Sequence, residues 1–272
     1  MKKVMIFILT YNHENTIVSV LERIPADLMK SCAEILIADD ESKDNTYEVA
    51  LKYKKEKKLK KLTVIKNKKN KGYGGNQKFC YNYAIDKGYD IAVMIHGDGQ
   101  YAPEETPNLL APLENDEADF VFGSRITGHP LKGGMPLYKF LGNIFLTTIE
   151  NLVLKTRLSE FHSGFRVYSV KALKEIPFDK LSDDYYFDSE IILQLVLAKK
   201  RIAEKPIPTF YGNEISYVNS IPYGLSILKM LGEYLLHKNR IKKSYKFDIK
   251  NFKTLNRKPN EKIRYGYFPS EY

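Results

Sequence analysis

The sequence predicts an α/β fold: a mostly parallel sheet with helices on both faces, followed by a C-terminal amphipathic helix and a basic tail. Three features predict it. Apolar runs of strand length recur through the first half of the chain. Helical patterns separate them, the order that builds parallel sheets. Polar residues cluster where each apolar run stops, the end at which open α/β sheets bind ligands.

Residues 4–9 are a compact apolar run, as a strand buried on both faces requires, and they stop at Thr10-Tyr11-Asn12. Residues 14–24 read as a helix stopped by Pro25. Residues 33–38 form a second buried strand ending in Asp39-Asp40. Residues 45–60 are a Lys-rich helix, and 62–66 a third strand. Gly72, Gly74 and Gly75 predict a glycine turn before a helix over 76–87. A fourth strand, 91–95, ends in His96-Gly97-Asp98. Residues 103–115 are helical, and 119–123 form a fifth strand.

The second half is less regular. Helices are expected over 135–154 and 188–199, a loop and strand over 161–169, and a short strand over 203–208. Leu225, Leu228, Leu231 and Leu235 share one stripe of an amphipathic helix over 225–237. The division expected is a catalytic domain over 1–215 and a helical, basic extension over 216–272, suited to a membrane surface or to pairing two chains.

Composition narrows the function. With 43% hydrophobic residues in 272, the chain can bury a core. Its net charge of +10 comes largely from two segments. Residues 52–71 carry eleven Lys against Glu56, and 238–258 carry nine Lys or Arg against Asp248. Such runs are solvated faces or sites for anionic partners. No nucleic-acid-binding pattern accompanies them, so nucleic acid is not an expected partner. Cys32 and Cys80 stand far apart without metal or redox spacing. No apolar stretch reaches the roughly 18 residues that span a bilayer, and the N-terminus lacks a cleavage signal. The expectation is a cytoplasmic protein able to touch the cytoplasmic membrane face.

The sharpest chemistry lies in residues 95–104. An Asp ending a buried strand between two glycines is costly unless it binds something. Asp98 offers a carboxylate oxygen and Gln100 a carbonyl oxygen, ligands suited to Mg²⁺ or Mn²⁺ completed by water and substrate phosphates. A strand-ending turn capped by Asp98 would use the same residues.

The order Thr10-Tyr11-Asn12, Asp39-Asp40-Glu41-Ser42-Lys43-Asp44, the glycine segment, Asp98-Gly99-Gln100 and Gly123-Ser124-Arg125 resembles family 2 glycosyltransferases of the Rossmann-like GT-A fold. Within them it is most similar to dolichyl-phosphate and undecaprenyl-phosphate sugar transferases, over roughly residues 3–210. The resemblance implies that Thr10, Tyr11, Asn12 and Glu14 hold the nucleotide's base and ribose. Asp39 would accept from the base, with Asp40 alongside, and the segment Asn70, Gly72, Gly74, Gly75, Asn76 would pass close to it. His96, Gly97 and Asp98 would face the donor, Asp98 and Gln100 would bind the metal, and Arg125 would contact a phosphate. His96 stands where the family's motif has another Asp, which bears on the metal's identity.

Ser163-Gly164-Phe165-Arg166 resembles the segment near the phosphates in the polyprenyl-phosphate enzymes, with Arg166 as a phosphate clamp. The acidic cluster 183–190 suits a helix start; the resemblance also implies a general base in this region, for which Asp188, then Glu190, are the candidates. The reaction implied is an inverting transfer of a sugar from a UDP- or GDP-sugar to a lipid phosphate or a saccharide hydroxyl. A sugar nucleotidyltransferase and a non-catalytic nucleotide-sugar binding protein are the other readings; the glycine-free loop 10–13 argues against the first.

Overall fold

Strand β1 (Val4–Thr10) is buried along its whole length. Its side chains alternate between two apolar cores, Met5, Phe7 and Leu9 on one side and Val4, Ile6 and Ile8 on the other. Successive strand residues point to opposite faces, so a continuous apolar run is what a strand covered on both sides needs. The computed structural model describes residues 2–209, 211 and 219–252.

The sheet has seven strands in the order β3-β2-β1-β4-β6-β5-β7, the others being β2 (Glu34–Asp39), β3 (Leu62–Lys66), β4 (Ile91–His96), β5 (Phe120–Ser124), β6 (Arg166–Ser169) and β7 (Ile202–Pro206). Every pairing is parallel except the two made by β6. The registers pair Thr10 with Asp39 and Leu9 with His96, bringing three strand ends to one edge.

Helices α1 (Ile17–Glu22), α2 (Ala26–Ser31), α3 (Thr46–Glu56) and α5 (Thr106–Glu114) cover one face. Helices α4 (Tyr73–Lys87), α7 (Val170–Lys174), α8 (Phe187–Leu197) and α9 (Ser220–Lys238) cover the other. The expected alternation is therefore present, with α2 and α7 as short additions too brief to leave a periodic signal. The boundary proposed near residue 215 falls among 212–218, outside the described residues, as does the tail beyond 252. Ile227, Met230, Leu231 and Tyr234 of α9 enter the same core as Phe7.

The glycine segment differs from expectation. The helix begins at Tyr73, so Gly74 and Gly75 lie in its first turn, and Gly72 alone is the cap, at φ +77°. A Cβ at Gly72 would stand 2.7 Å from the carbonyl oxygen of Asp183, so both the left-handed backbone and the close approach call for glycine.

Helix α6 (Leu137–Leu154) mixes its faces. Leu146, Ile149, Val153 and Leu154 pack on the core with Asn143, Thr147 and Glu150 turned inward beside them, while Leu137, Tyr138, Leu141, Phe145 and Leu152 are exposed. An exposed face of five large apolar side chains on one helix is unusual for a soluble surface.

Candidate active site

A cleft of about 560 Å³ opens at the carboxyl ends of β1, β2 and β4 and runs to α6 and α9. Of the expected residues, Thr10, Tyr11, Asp40, Gly72, Asn76, His96, Asp98, Gln100, Arg125 and Asp188 line it, as does Asn70.

The others stand behind the wall. Asn12, in the left-handed region at φ 59°, takes Ser42 Oγ with its amide at 2.9 Å and accepts from the Lys43 amide at 2.9 Å. Glu14 accepts from the Asn45 amide at 2.9 Å. Asp39 is fully buried, accepting from the Ser42 hydroxyl and, at 3.1 Å, from its amide. Together these three pin the β1–α1 loop to the β2–α3 loop, so the structure gives them a bracing role. Burial raises the Asp39 and Asp40 carboxyls above their ordinary range, against hydrogen bonds that favour the anions. Asp40 accepts from the Lys71 amide at 2.9 Å and from Asn67 Nδ2 at 2.8 Å. Gly74 and Gly97 are also behind the wall. A Cβ on Gly74 would meet the Ser182 carbonyl at 2.6 Å, and one on Gly97 would meet Thr10 Cγ2 at 2.7 Å.

Asp98 accepts from the Gln100 amide at 3.0 Å and faces the cleft. His96 beside it is already engaged: its Nε2 lies 3.0 Å from the Tyr73 hydroxyl, which itself donates to Asp188 Oδ2 at 2.8 Å. That direction assigns the ring proton to Nε2. Burial lowers the His96 pKa, with Asp98 and Asp188 only partly offsetting it, so the ring is neutral. Its Cε1 would lie 2.3 Å from a Cβ on Gly164, which explains the glycine of Ser163-Gly164-Phe165-Arg166. Among the described residues no three His, Cys, Asp or Glu side chains gather as metal ligands. One carboxylate on the wall still fits a cation held mainly by phosphates and water.

Asp188 is held at both carboxylate oxygens. Gln77 Nε2 donates to Oδ1 at 2.9 Å, Tyr73 holds Oδ2, and Arg166 Nη1 lies 3.5 Å from Oδ1. Two expectations for this region change. Arg166 is fully buried and does not reach the cleft; it donates to the carbonyls of Ser163 at 2.6 Å and of Phe161 and Asp188 at 2.8 Å. It knits β6 to α8 and balances Asp188 rather than clamping a phosphate. Glu190 is fully buried too, accepting from the Ser182 amide at 2.7 Å and from Lys246 Nζ at 2.9 Å, so it is no base for the cleft.

Arg125 does line the cleft. It pairs with buried Glu160 through its side chain and, at 2.8 Å, its own amide, and donates to Tyr211 at 3.1 Å. Burial disfavours both charges, but the pair outweighs it: Glu160 is held below its ordinary range and Arg125 above its own.

Sequence reasoning missed Tyr73, Tyr101, Tyr138, Lys139, Asn143, His162 and Tyr223, all on the wall. The Tyr101 hydroxyl accepts from the Gly164 amide at 2.8 Å, and burial pushes its pKa up to about 12. Tyr73, lying between glycines, could have been found as the aromatic of the glycine segment. No local pattern marks the others.

Residues 5–177 match the sequence profile described as glycosyl transferase family 2. A Methanococcus voltae UDP-N-acetylglucosamine–dolichyl-phosphate N-acetylglucosaminyltransferase is 32% identical over 246 residues, 84% of this chain and 97% of that one. A Micrococcus luteus undecaprenyl-phosphate mannosyltransferase is 27% identical, over 78% of this chain and 85% of its own. The glucosyl-3-phosphoglycerate synthase of Mycobacterium tuberculosis, solved with Mn2+, UDP-glucose and phosphoglyceric acid, superposes with a TM-score of 0.63 at 18% identity, covering 85% of this chain and 80% of that one. The chain belongs to glycosyl transferase family 2 and has the GT-A fold; it is a glycosyltransferase.

Proposed function

We propose that this enzyme moves a sugar, with inversion, from a uridine or guanosine diphosphate sugar to the phosphate of a polyprenyl lipid at a membrane surface. The observation that carries the reading is the exposed apolar face of helix α6. Its exposed Leu137, Tyr138, Leu141 and Phe145 continue from the cleft wall, to which Tyr138, Lys139, Gly142 and Asn143 belong. Exposed Leu225, Leu228 and Leu235 of α9 extend the apolar area, and Lys139, Lys229 and Lys238 border it. An apolar face with a basic rim suits an anionic bilayer. No helix among the described residues is long and apolar enough to cross a membrane; the contact proposed is with its surface. The names of the Methanococcus and Micrococcus relatives support the lipid-phosphate acceptor.

The cleft's chemistry fits that acceptor. A hydroxyl nucleophile needs a base to take its proton, and Asp188 already accepts from Gln77 and Tyr73, with Arg166 behind it. A phosphate monoester is already ionised near neutral pH, with its second pKa about 6, and attacks without such help. Thr10, Tyr11 and Asp40 receive the nucleoside, and Arg125 turns its remaining N–H groups toward the diphosphate, where negative charge gathers as the sugar leaves. Asp98, with Gln100 beside it, would hold Mg²⁺ or Mn²⁺; the ion would neutralise that same charge.

The test is transfer from a panel of UDP- and GDP-sugars, UDP-N-acetylglucosamine first, to a polyprenyl phosphate or to free saccharides. Product on the lipid phosphate supports the reading; product only on a saccharide hydroxyl refutes the acceptor and keeps the enzyme class.

A further inference from the structure

The α6–α9 end of the cleft holds a chain of three polar groups that none of these steps uses. Glu150, midway along α6, is 1% exposed, and a buried carboxylate without a partner is costly. Its Oε2 lies 3.2 Å from His162 Nε2, and among the described residues neither of its oxygens has a hydrogen-bond donor. The other ring nitrogen, Nδ1, lies 2.9 Å from the Tyr223 hydroxyl, with Ser189 Oγ at 3.5 Å. His162 and Tyr223 both line the cleft. Four elements therefore meet at one imidazole: α6, the loop before β6, α8 and α9.

The order of these groups decides what Tyr223 offers to the cleft. With one ring proton, drawn to Nε2 by the carboxylate, Nδ1 must accept, and the tyrosine proton points at His162. With a proton on each nitrogen, Nδ1–H donates to the tyrosine oxygen and the phenol O–H turns to the cleft. An anion in the cleft would pair with the O–H released in the second arrangement. Burial, then Glu150 and Asp188, push the Tyr223 phenol up, so it keeps its proton as a donor. Arg125 is braced by Glu160, and Arg166 pairs with Asp188 behind the wall; Lys139 of α6 also lines the cleft. Asn143, Leu146 and Ser220 line the same end, where the exposed apolar faces begin. A molecule with a phosphate head and an apolar tail would place its head there.

We propose that Tyr223, oriented by the Glu150–His162 pair, is the hydrogen-bond donor that seats the acceptor's phosphate. The proposal rests on the lipid-phosphate reading and names its subsite. Its test is calorimetric titration of farnesyl phosphate, with farnesol as the neutral control, into the full chain saturated with UDP. Wild type is compared with Tyr223→Phe, His162→Gln and Glu150→Gln. Tyr223→Phe should weaken farnesyl phosphate binding by at least about 10-fold, the size of a lost hydrogen bond to a charged group. The other two variants should shift it in the same direction, while farnesol and UDP affinities hold in all four proteins. Equal farnesyl phosphate affinity in wild type and Tyr223→Phe overturns the proposal and leaves the lipid-phosphate reading standing. A parallel loss of UDP affinity marks Tyr223 as structural and also overturns it. No phosphate-dependent binding by wild type sinks the lipid-phosphate reading itself.

Discussion

Phe7 in β1 and Phe145 in α6 are the same side chain put to opposite uses: Phe7 is fully buried and Phe145 is 60% exposed. Around Phe7 the chain follows the ordinary rule, with apolar residues inside and polar ones at the strand ends. Around Phe145 it reverses, with Asn143, Thr147 and Glu150 turned inward. The sheet half gains stability by removing apolar surface from water. The α6–α9 half gives up part of that gain and keeps an apolar surface beside the cleft. The difference separates an end closed around its core from an end that leaves large apolar side chains in water, the face on which the proposed function rests.

The contrast makes its largest prediction within that pair of phenylalanines. Phe7→Ala should cost about 3–5 kcal/mol of stability through the cavity it leaves, and Phe145→Ala should stay within about 0.5 kcal/mol of wild type; denaturant unfolding of both checks this. Comparable losses would mean that α6 is packed against something in solution and that its face is not free.

Next in size is the buried ion pair on the boundary between the halves. Glu160→Gln leaves Arg125 uncompensated and should cost about 3 kcal/mol at neutral pH. The sign with pH follows from the depressed Glu160 carboxyl. Its contribution is complete above the unfolded value of about 4.3 and is lost as pH falls through the lower folded value. Wild type should therefore lose stability more steeply than Glu160→Gln on acidification, read as unfolding midpoints from pH 7 to 3.

A smaller and local effect is expected at Gly164. Gly164→Ala would drive a Cβ into His96 and shift the His96–Tyr73–Asp188 chain. Misplacement of this kind costs on the order of 100-fold in rate, and the overpacking should cost about 1–3 kcal/mol of stability, read by activity and denaturant unfolding. The smallest effect on stability belongs to the double variant Leu141→Glu, Phe145→Glu. It should unfold like wild type yet lose flotation with anionic phospholipid vesicles.

These predictions divide along what the sequence makes legible. The nucleotide end was readable because each strand is an unbroken apolar run stopped by polar residues, so strand ends and ligand residues coincide. Thr10, Asp40, His96 and Asp98 were found that way and do line the cleft. Asn12, Glu14 and Asp39 occupy the same loops but hold loop to loop, and spacing does not distinguish a brace from a wall. Arg166 and Glu190 were misplaced because a short antiparallel strand and a fully buried helix turn their charges inward, where partners remote in sequence, Phe161 and Lys246, absorb them. The far end was least legible. His162, Glu150 and Tyr223 meet only through tertiary packing, and a helix with apolar residues on both an inner and an exposed face has the same period as an ordinary one.

The most direct test of the central claim is sugar transfer into anionic vesicles carrying a polyprenyl phosphate, comparing wild type, Asp98→Ala and Leu141→Glu, Phe145→Glu. The account predicts labelled lipid with wild type and a loss of at least about 100-fold with Asp98→Ala. The double variant should fail on vesicles but still use a short, soluble polyprenyl phosphate. Full activity of the double variant on vesicles, or label reaching only soluble saccharides with wild type, would contradict it.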